Sequence, residues 1–199
     1  MSCDFKERLQ KAVKETEAVV YEYLPAEEGY QKTIFSAMNY SVKAGGKRLR
    51  PLLMREAYRM FGGRGKEIEP FMAAMEMIHT SSLIHDDLPC MDNDEFRRGK
   101  PTTWKAYGYD MAVLAGDALM IYAFETAAKA FSMNGDPARA GRALEILAQK
   151  TGIYGMIGGQ TVDVELTNKP VPREKLDFIY RLKTGALLEA SMMIGAVLA

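Results

Sequence analysis

Apolar residues in this chain recur at spacings of three and four rather than alternating. Stretches with this helical period cover residues 5–23, 34–42, 52–61, 71–84, 111–131, 138–149, 153–164 and 173–199. Breakers separate them: Gly62-Gly63-Arg64-Gly65, Asn134-Gly135-Asp136-Pro137 and Thr167-Asn168-Lys169-Pro170-Val171-Pro172. Asp136 followed by Pro137 reads as an N-cap with proline at the first helical position. Strand patterns are scarce. The pattern predicts an all-α helical bundle, a single domain over residues 1–199, with no tandem repeat, low-complexity segment or interdomain linker. Ligand sites in such bundles lie between facing helices.

One helix is apolar almost throughout (Met72, Ala73, Ala74, Met75, Met77, Ile78, Leu83, Ile84) and is expected to be buried. It runs into Asp86-Asp87-Leu88-Pro89-Cys90-Met91-Asp92-Asn93-Asp94-Glu95-Phe96-Arg97-Arg98-Gly99-Lys100. A mixed-charge run of this kind is most often a solvated loop. Here five carboxylates follow a buried helix, and they repel one another unless a cation lies between them. Mg²⁺ is commonly shared between one or two carboxylates and substrate phosphates. Arg97, Arg98 and Lys100 add cations able to grip phosphate oxygens. The run reads as a metal-plus-diphosphate site.

Helical spacing adds to this. His79 and Asp86 are seven residues apart, so they share a face about 10 Å apart along the axis. Ser82 lies one turn from Asp86. A histidine and a carboxylate are thus expected to point into one cleft, against the competing reading of His79 as a satisfied core residue. Asp92 is off that face, but Pro89 breaks the helix and lets it turn back toward Asp86. Upstream, Gly45-Gly46-Lys47-Arg48-Leu49-Arg50-Pro51 sets two glycines before a cationic turn. Glycine permits close approach to an anion, and Lys47 and Arg50 are spaced to face one ligand. Beside a carboxylate-metal site, this suggests a second, metal-free anion pocket.

Composition removes other function classes. The formal net charge is zero, so no nucleic-acid footprint is present. Cys3 and Cys90 have no metal or redox spacing and suggest a reducing, cytoplasmic setting. The N-terminus lacks a signal-peptide pattern. Residues 185–199 are apolar but interrupted by Glu189 and too short to cross a bilayer, so a core helix and no transmembrane segment is expected. The methionines read as core filler.

Taken together, Gly45-Gly46-Lys47-Arg48-Leu49-Arg50-Pro51, His79, Asp86-Asp87-x4-Asp92, Arg97-Arg98-Gly99-Lys100-Pro101-Thr102 and Lys183-Thr184-Gly185 resemble the trans-type isoprenyl diphosphate synthases. The likeness is greatest to bacterial-type farnesyl and geranylgeranyl diphosphate synthases and runs over essentially the whole chain. It implies an isoprenoid-synthase helical bundle with a central cleft. It also implies a Mg²⁺-dependent prenyltransferase, with Mn²⁺ as a substitute ion. An allylic diphosphate (dimethylallyl, geranyl or farnesyl) ionises, the double bond of isopentenyl diphosphate attacks, and a proton leaves. On this resemblance Asp86 and Asp92 are metal ligands with Asp87 supporting. Arg97, Lys183 and Thr184 hold the allylic diphosphate, and Lys47, Arg50, His79 and Arg98 hold isopentenyl diphosphate. Gln160 and Asp163 match a segment near the allylic site. A homodimer is implied, with residues 111–131 at its interface; a place in the monomer core is the equal alternative.

The match has departures. Family members continue past the position of Ala199 and carry a second aspartate-rich motif there, and no DDxxD follows Lys183. The expectation is a C-terminally truncated domain holding half of the metal site and inactive alone. Trp104 stands at a usual histidine, and Glu95-Phe96 at a usual Asp-Leu. Ser81, five residues before Asp86, is small where farnesyl-producing relatives carry an aromatic floor. It favours the longer geranylgeranyl product over farnesyl, with Met77 and neighbouring helices as further floor. Two alternatives stand beside the synthase: a non-catalytic diphosphate-binding or partner subunit, and a terpene cyclase. Lys47, Arg50 and His79 argue against the cyclase, which has no second diphosphate to hold.

Overall fold

The structure is a computed structural model describing residues 2–133 and 135–199, with Ser2 and Cys3 described at the backbone only. The compartment reading of Cys3 and the turn residue Asn134 lie outside the described residues. Among the described residues ten α-helices follow one another: α1 (Ser2–Glu22), α2 (Lys32–Val42), α3 (Leu49–Met60), α4 (Glu69–Asp86), α5 (Thr103–Tyr107), α6 (Tyr109–Ala128), α7 (Pro137–Thr151), α8 (Met156–Glu165), α9 (Arg173–Ile179) and α10 (Ala186–Leu198). A hairpin of β1 (Phe96–Arg97) and β2 (Lys100–Pro101) precedes α5. The all-α class expected from the pattern is the observed one. The two strands escaped it because two residues are too short to show a period of two.

The chain forms two compact units, residues 1–52 with 72–127 and residues 53–71 with 128–199. The division falls inside α3, α4 and α6, so no change of composition marks it.

In the first unit α4 is the centre of the core. Every residue from Met72 to Ile78 is at most 2% exposed, which is why that helix is apolar on all sides. After α4 the chain reverses at Pro89 and enters the hairpin, which pairs Phe96 with Pro101 and Arg97 with Lys100. Its turn residues Arg98 and Gly99 have φ of 54° and 75°, the left-handed pair that matches strand twist in a two-residue hairpin. Trp104 Nε1 donates to the Asp94 carbonyl at 2.8 Å, and Lys105 pairs with Glu95 at 2.8 Å. The two departures from the family pattern therefore serve to hold the hairpin.

In the second unit α7 begins as expected. The Asp136 carboxylate accepts from the Ala138 N–H at 2.8 Å with Pro137 first in the helix. α10 packs on α7, and Lys150 meets Glu189 at 2.5 Å. Gly195 of α10 has no side chain because a Cβ there would sit 2.3 Å from the Met54 carbonyl oxygen. The helix predicted over 173–199 is continuous from Arg173 to Leu198, but residues Tyr180–Gly185 widen into a π-helical turn.

Candidate functional site

In the first unit a cavity of about 500 Å³ is lined by Lys47, Arg50, His79 and Arg98, together with Gly46, Arg48 and Glu76. All four residues expected to form the metal-free anion pocket are in it. Arg50 carries the strongest signal. Its Nε is buried without a hydrogen-bond partner, and its Nη1 lies 3.3 Å from His79 Nε2. Arginine can only donate, so Nε2 accepts and the imidazole proton sits on Nδ1. Burial, then the positive charge of Arg50 and Arg98, lowers the His79 pKa from 6.5 to about 3. The imidazole is neutral, and the cations around it are not cancelled by it. Burial also lowers the pKa of Arg50 and Arg98 from the ordinary arginine value. A desolvated cation with an unused donor favours an anionic ligand that restores both charge balance and hydrogen bonds.

Gly46 explains the loop's glycines. A Cβ there would lie 2.7 Å from Arg98 Nη1, and that same atom donates to the Gly45 carbonyl. The close approach ties the cationic turn to the hairpin.

The aspartate segment begins where α4 ends. The Asp92 N–H donates to the Asp86 carbonyl at 2.9 Å, so the chain does return to Asp86 after the proline break. Asp86 does not line the anion cavity, and Ser82 turns its hydroxyl back to the His79 carbonyl at 2.8 Å. His79 and Asp86 stand about two turns apart along α4, with His79 at the cavity.

Asp87 is 3% exposed, and both its oxygens accept from Arg97: Nε at 2.8 and 2.9 Å and Nη2 at 2.5 Å. It anchors Arg97 beside the aspartate segment. The pairing holds the Arg97 pKa above its ordinary value. Asp94 adds a second carboxylate at 3.6 Å. Among the described residues no three carboxylate, histidine or cysteine side chains converge on one point. Asp86 and Asp92 nonetheless fit Mg²⁺, which takes one or two carboxylates and completes its octahedron with phosphate oxygens and water.

In the second unit Lys183 and Thr184 lie in the π-helical turn, a local form that often marks functional positions. Lys183 Nζ meets Asp163 Oδ2 of α8 at 2.5 Å, joining two residues expected near the allylic site. Gly159, next to Gln160, permits this approach, since a Cβ there would lie 2.2 Å from the Lys183 backbone nitrogen. Gly159→Ala is expected to force α8 away from the π turn at a cost of about 1–3 kcal/mol, as overpacking does. Urea denaturation of the variant measures it.

Ser81 is fully buried, donates to the Ile78 carbonyl at 2.8 Å, and lies 3.9 Å from Met120 Sδ of α6. A flexible methionine thus neighbours the small residue. Sequence reasoning missed Met120, and it missed Glu76 in the anion cavity. Glu76 had a visible signal, being the one charged residue in an apolar stretch, three positions before His79 on the same face.

The helical chain thus carries a carboxylate pair at a helix end and, apart from it, a cationic cavity. The family model described as Polyprenyl synthetase matches residues 31–199, and the chain belongs to that family. The chain is 52% identical over 168 residues to the heterodimeric geranylgeranyl pyrophosphate synthase large subunit 1, chloroplastic, of Arabidopsis thaliana, covering 82% of the chain and 45% of that protein. It is 43% identical over 190 residues to the farnesyl diphosphate synthase of Geobacillus stearothermophilus, covering 96% of the chain and 64% of that protein. The apo crystal structure of a FPP/GFPP synthase from Zymomonas mobilis superposes with a TM-score of 0.91 at 37% identity, covering 100% of this chain and 72% of that one. The chain spans about half the length of the curated relatives it matches first, 45% for the Arabidopsis large subunit.

Proposed function

We propose that this chain carries the first half of a prenyl diphosphate synthase site, joining isopentenyl diphosphate head-to-tail to an allylic diphosphate. The observation that carries this reading is the cavity holding Lys47, Arg50, His79 and Arg98, in which a buried arginine donor lacks a partner. A metal-free pocket for a second diphosphate is what condensation requires and cyclisation does not. Lys47, Arg50 and Arg98 hold the isopentenyl diphosphate, and neutral His79 keeps Arg50 in place without adding charge. Asp86 and Asp92 would hold Mg²⁺, which would supply charge neutralisation for the allylic diphosphate. Arg97, fixed by Asp87, adds a cation for that same diphosphate. The allylic C–O bond breaks and diphosphate departs with the electron pair. A new C–C bond forms from the isopentenyl double bond, and one proton is lost to the departing diphosphate or water.

The product is geranylgeranyl diphosphate in preference to farnesyl, with Ser81 and Met120 setting the limit together. Ser81→Phe is expected to shift product by at least one isoprene unit toward shorter chains, read by thin-layer chromatography of the dephosphorylated products. α6 supports a homodimer. Its buried side holds Leu119 and Thr126 among small residues (Ala112, Ala115, Gly116, Ala123), while Leu114 and Ile121 are 55% and 69% exposed. Residues 109–132 are also apolar and long enough to cross a membrane by length and composition. Asp117 and Glu125, exposed on the same helix as Leu114 and Ile121, suit a protein interface better than lipid.

The test is product formation from radiolabelled isopentenyl diphosphate, geranyl or farnesyl diphosphate and Mg²⁺, by this chain and by any longer form of the gene product. Product from either supports the synthase. Mg²⁺-dependent diphosphate binding without product from both favours a non-catalytic partner subunit.

A further inference from the structure

Arg48 sits in the middle of the cationic turn, yet it does not present a free charge. Its side chain is fully buried and every bond it makes is internal. Nη1 donates to Glu76 of α4 at 2.7 Å and Nη2 to the Val42 carbonyl at 2.8 Å. Toward α1, Nη2 donates to Glu17 at 2.7 Å and to Tyr21 Oη at 3.2 Å, and Nε to Glu17 at 3.1 Å. Tyr21 in turn donates to Glu17 at 2.9 Å, and the guanidinium lies 5.8 Å from the Tyr21 ring centre.

Two features make this network more than packing. Arg48 has φ of 48°, a left-handed backbone that a non-glycine residue keeps only when its surroundings hold it there. That backbone lies between Lys47 and Arg50, so its conformation sets where both cations point. In addition, Glu76 lines the anion cavity. A buried carboxylate beside a diphosphate would repel it, and Arg48 offsets that charge. α1 lies outside residues 31–199, the part matched by the family model.

We infer that α1, acting through Glu17 and Tyr21 on Arg48, is a positioning strut of the isopentenyl diphosphate pocket. This rests on the pocket reading above. Glu17 and Tyr21 do not line the cavity; they hold Arg48 in the conformation that aims Lys47 and Arg50 and screens Glu76.

The test is isothermal titration of the full chain with isopentenyl diphosphate without metal, and separately with a non-ionisable geranyl diphosphate analogue plus Mg²⁺. Glu17→Ala is expected to weaken isopentenyl diphosphate about tenfold, the scale of one charge-assisted hydrogen bond, and to leave the analogue unchanged. Glu17→Gln, which keeps an acceptor, is expected to recover part of the loss. Tyr21→Phe removes one hydroxyl, and a loss of about two- to threefold is expected from a hydrogen bond at the weak end of the range; it remains measurable if Glu17→Ala does not fold. Unchanged isopentenyl diphosphate affinity in Glu17→Ala and Tyr21→Phe overturns the strut. So does an equal loss for both ligands, which is the mark of general loosening. If the unsubstituted chain binds the geranyl analogue but not isopentenyl diphosphate, the pocket reading itself fails, and the strut with it.

Discussion

Replacing both Asp86 and Asp92 by asparagine is expected to abolish Mg²⁺-dependent binding of an allylic diphosphate. The Asp92 N–H bond to the Asp86 carbonyl brings the two residues together at the end of α4. Losing the electrostatic grip of a shared cation removes several kcal/mol, or about 10³-fold in affinity. Titration of a geranyl diphosphate analogue with and without Mg²⁺ measures it. Asp87→Asn is expected to act on the fold instead. It removes the charge that pairs Arg97 and so lowers stability, read by urea denaturation in chelator. If Asp92→Asn destabilised the metal-free protein as Asp87→Asn does, Asp92 would be a structural residue and the carboxylate-pair reading would fail.

The contrast among these three aspartates shows what a sequence can carry. Density of charge after a buried helix marked the segment as chemical, and the proline explained how Asp92 comes back to Asp86. Neither signal separates adjacent residues by direction. Asp86 and Asp87 differ by about 100° around the helix axis, and only the arrival of the hairpin decides that Arg97 meets Asp87. That hairpin is two residues per strand, below the length at which alternation is legible. The anion cavity was more readable, because glycines, lysine and arginine within one short turn leave few structural uses. Its supports were not. Glu17 and Tyr21 are 31 and 27 residues from Arg48, and no local pattern joins them. The π turn likewise had no signature of its own. It became interpretable only once Gly159 was seen against the Lys183 backbone.

His79 yields the second large effect, and it is one of pH. Its imidazole accepts from Arg50 at 3.3 Å, so adding a proton would set two donors against each other beside further arginines. The folded pKa of about 3 lies well below the ordinary 6.5. Above pH 6.5 the ring is neutral in both folded and unfolded chains, and no stability is lost. As pH falls from 6.5 toward 3, the unfolded chain gains a proton that the folded protein refuses. Stability then declines by about 1.4 kcal/mol per pH unit, reaching about 3 kcal/mol at pH 4.5. His79→Gln retains an acceptor for Arg50 and cannot titrate, so the difference between the two proteins isolates this contribution from that of the carboxylates. A diphosphate in the cavity reverses the field at the ring. Inorganic pyrophosphate is therefore expected to raise the His79 pKa, seen in the NMR titration of its imidazole. Titration of His79 near 6.5 in the free protein would show that Arg50 does not hold it, and would remove the charge argument for the pocket. A pKa that starts low and climbs with pyrophosphate would place the anion against this cluster of cations.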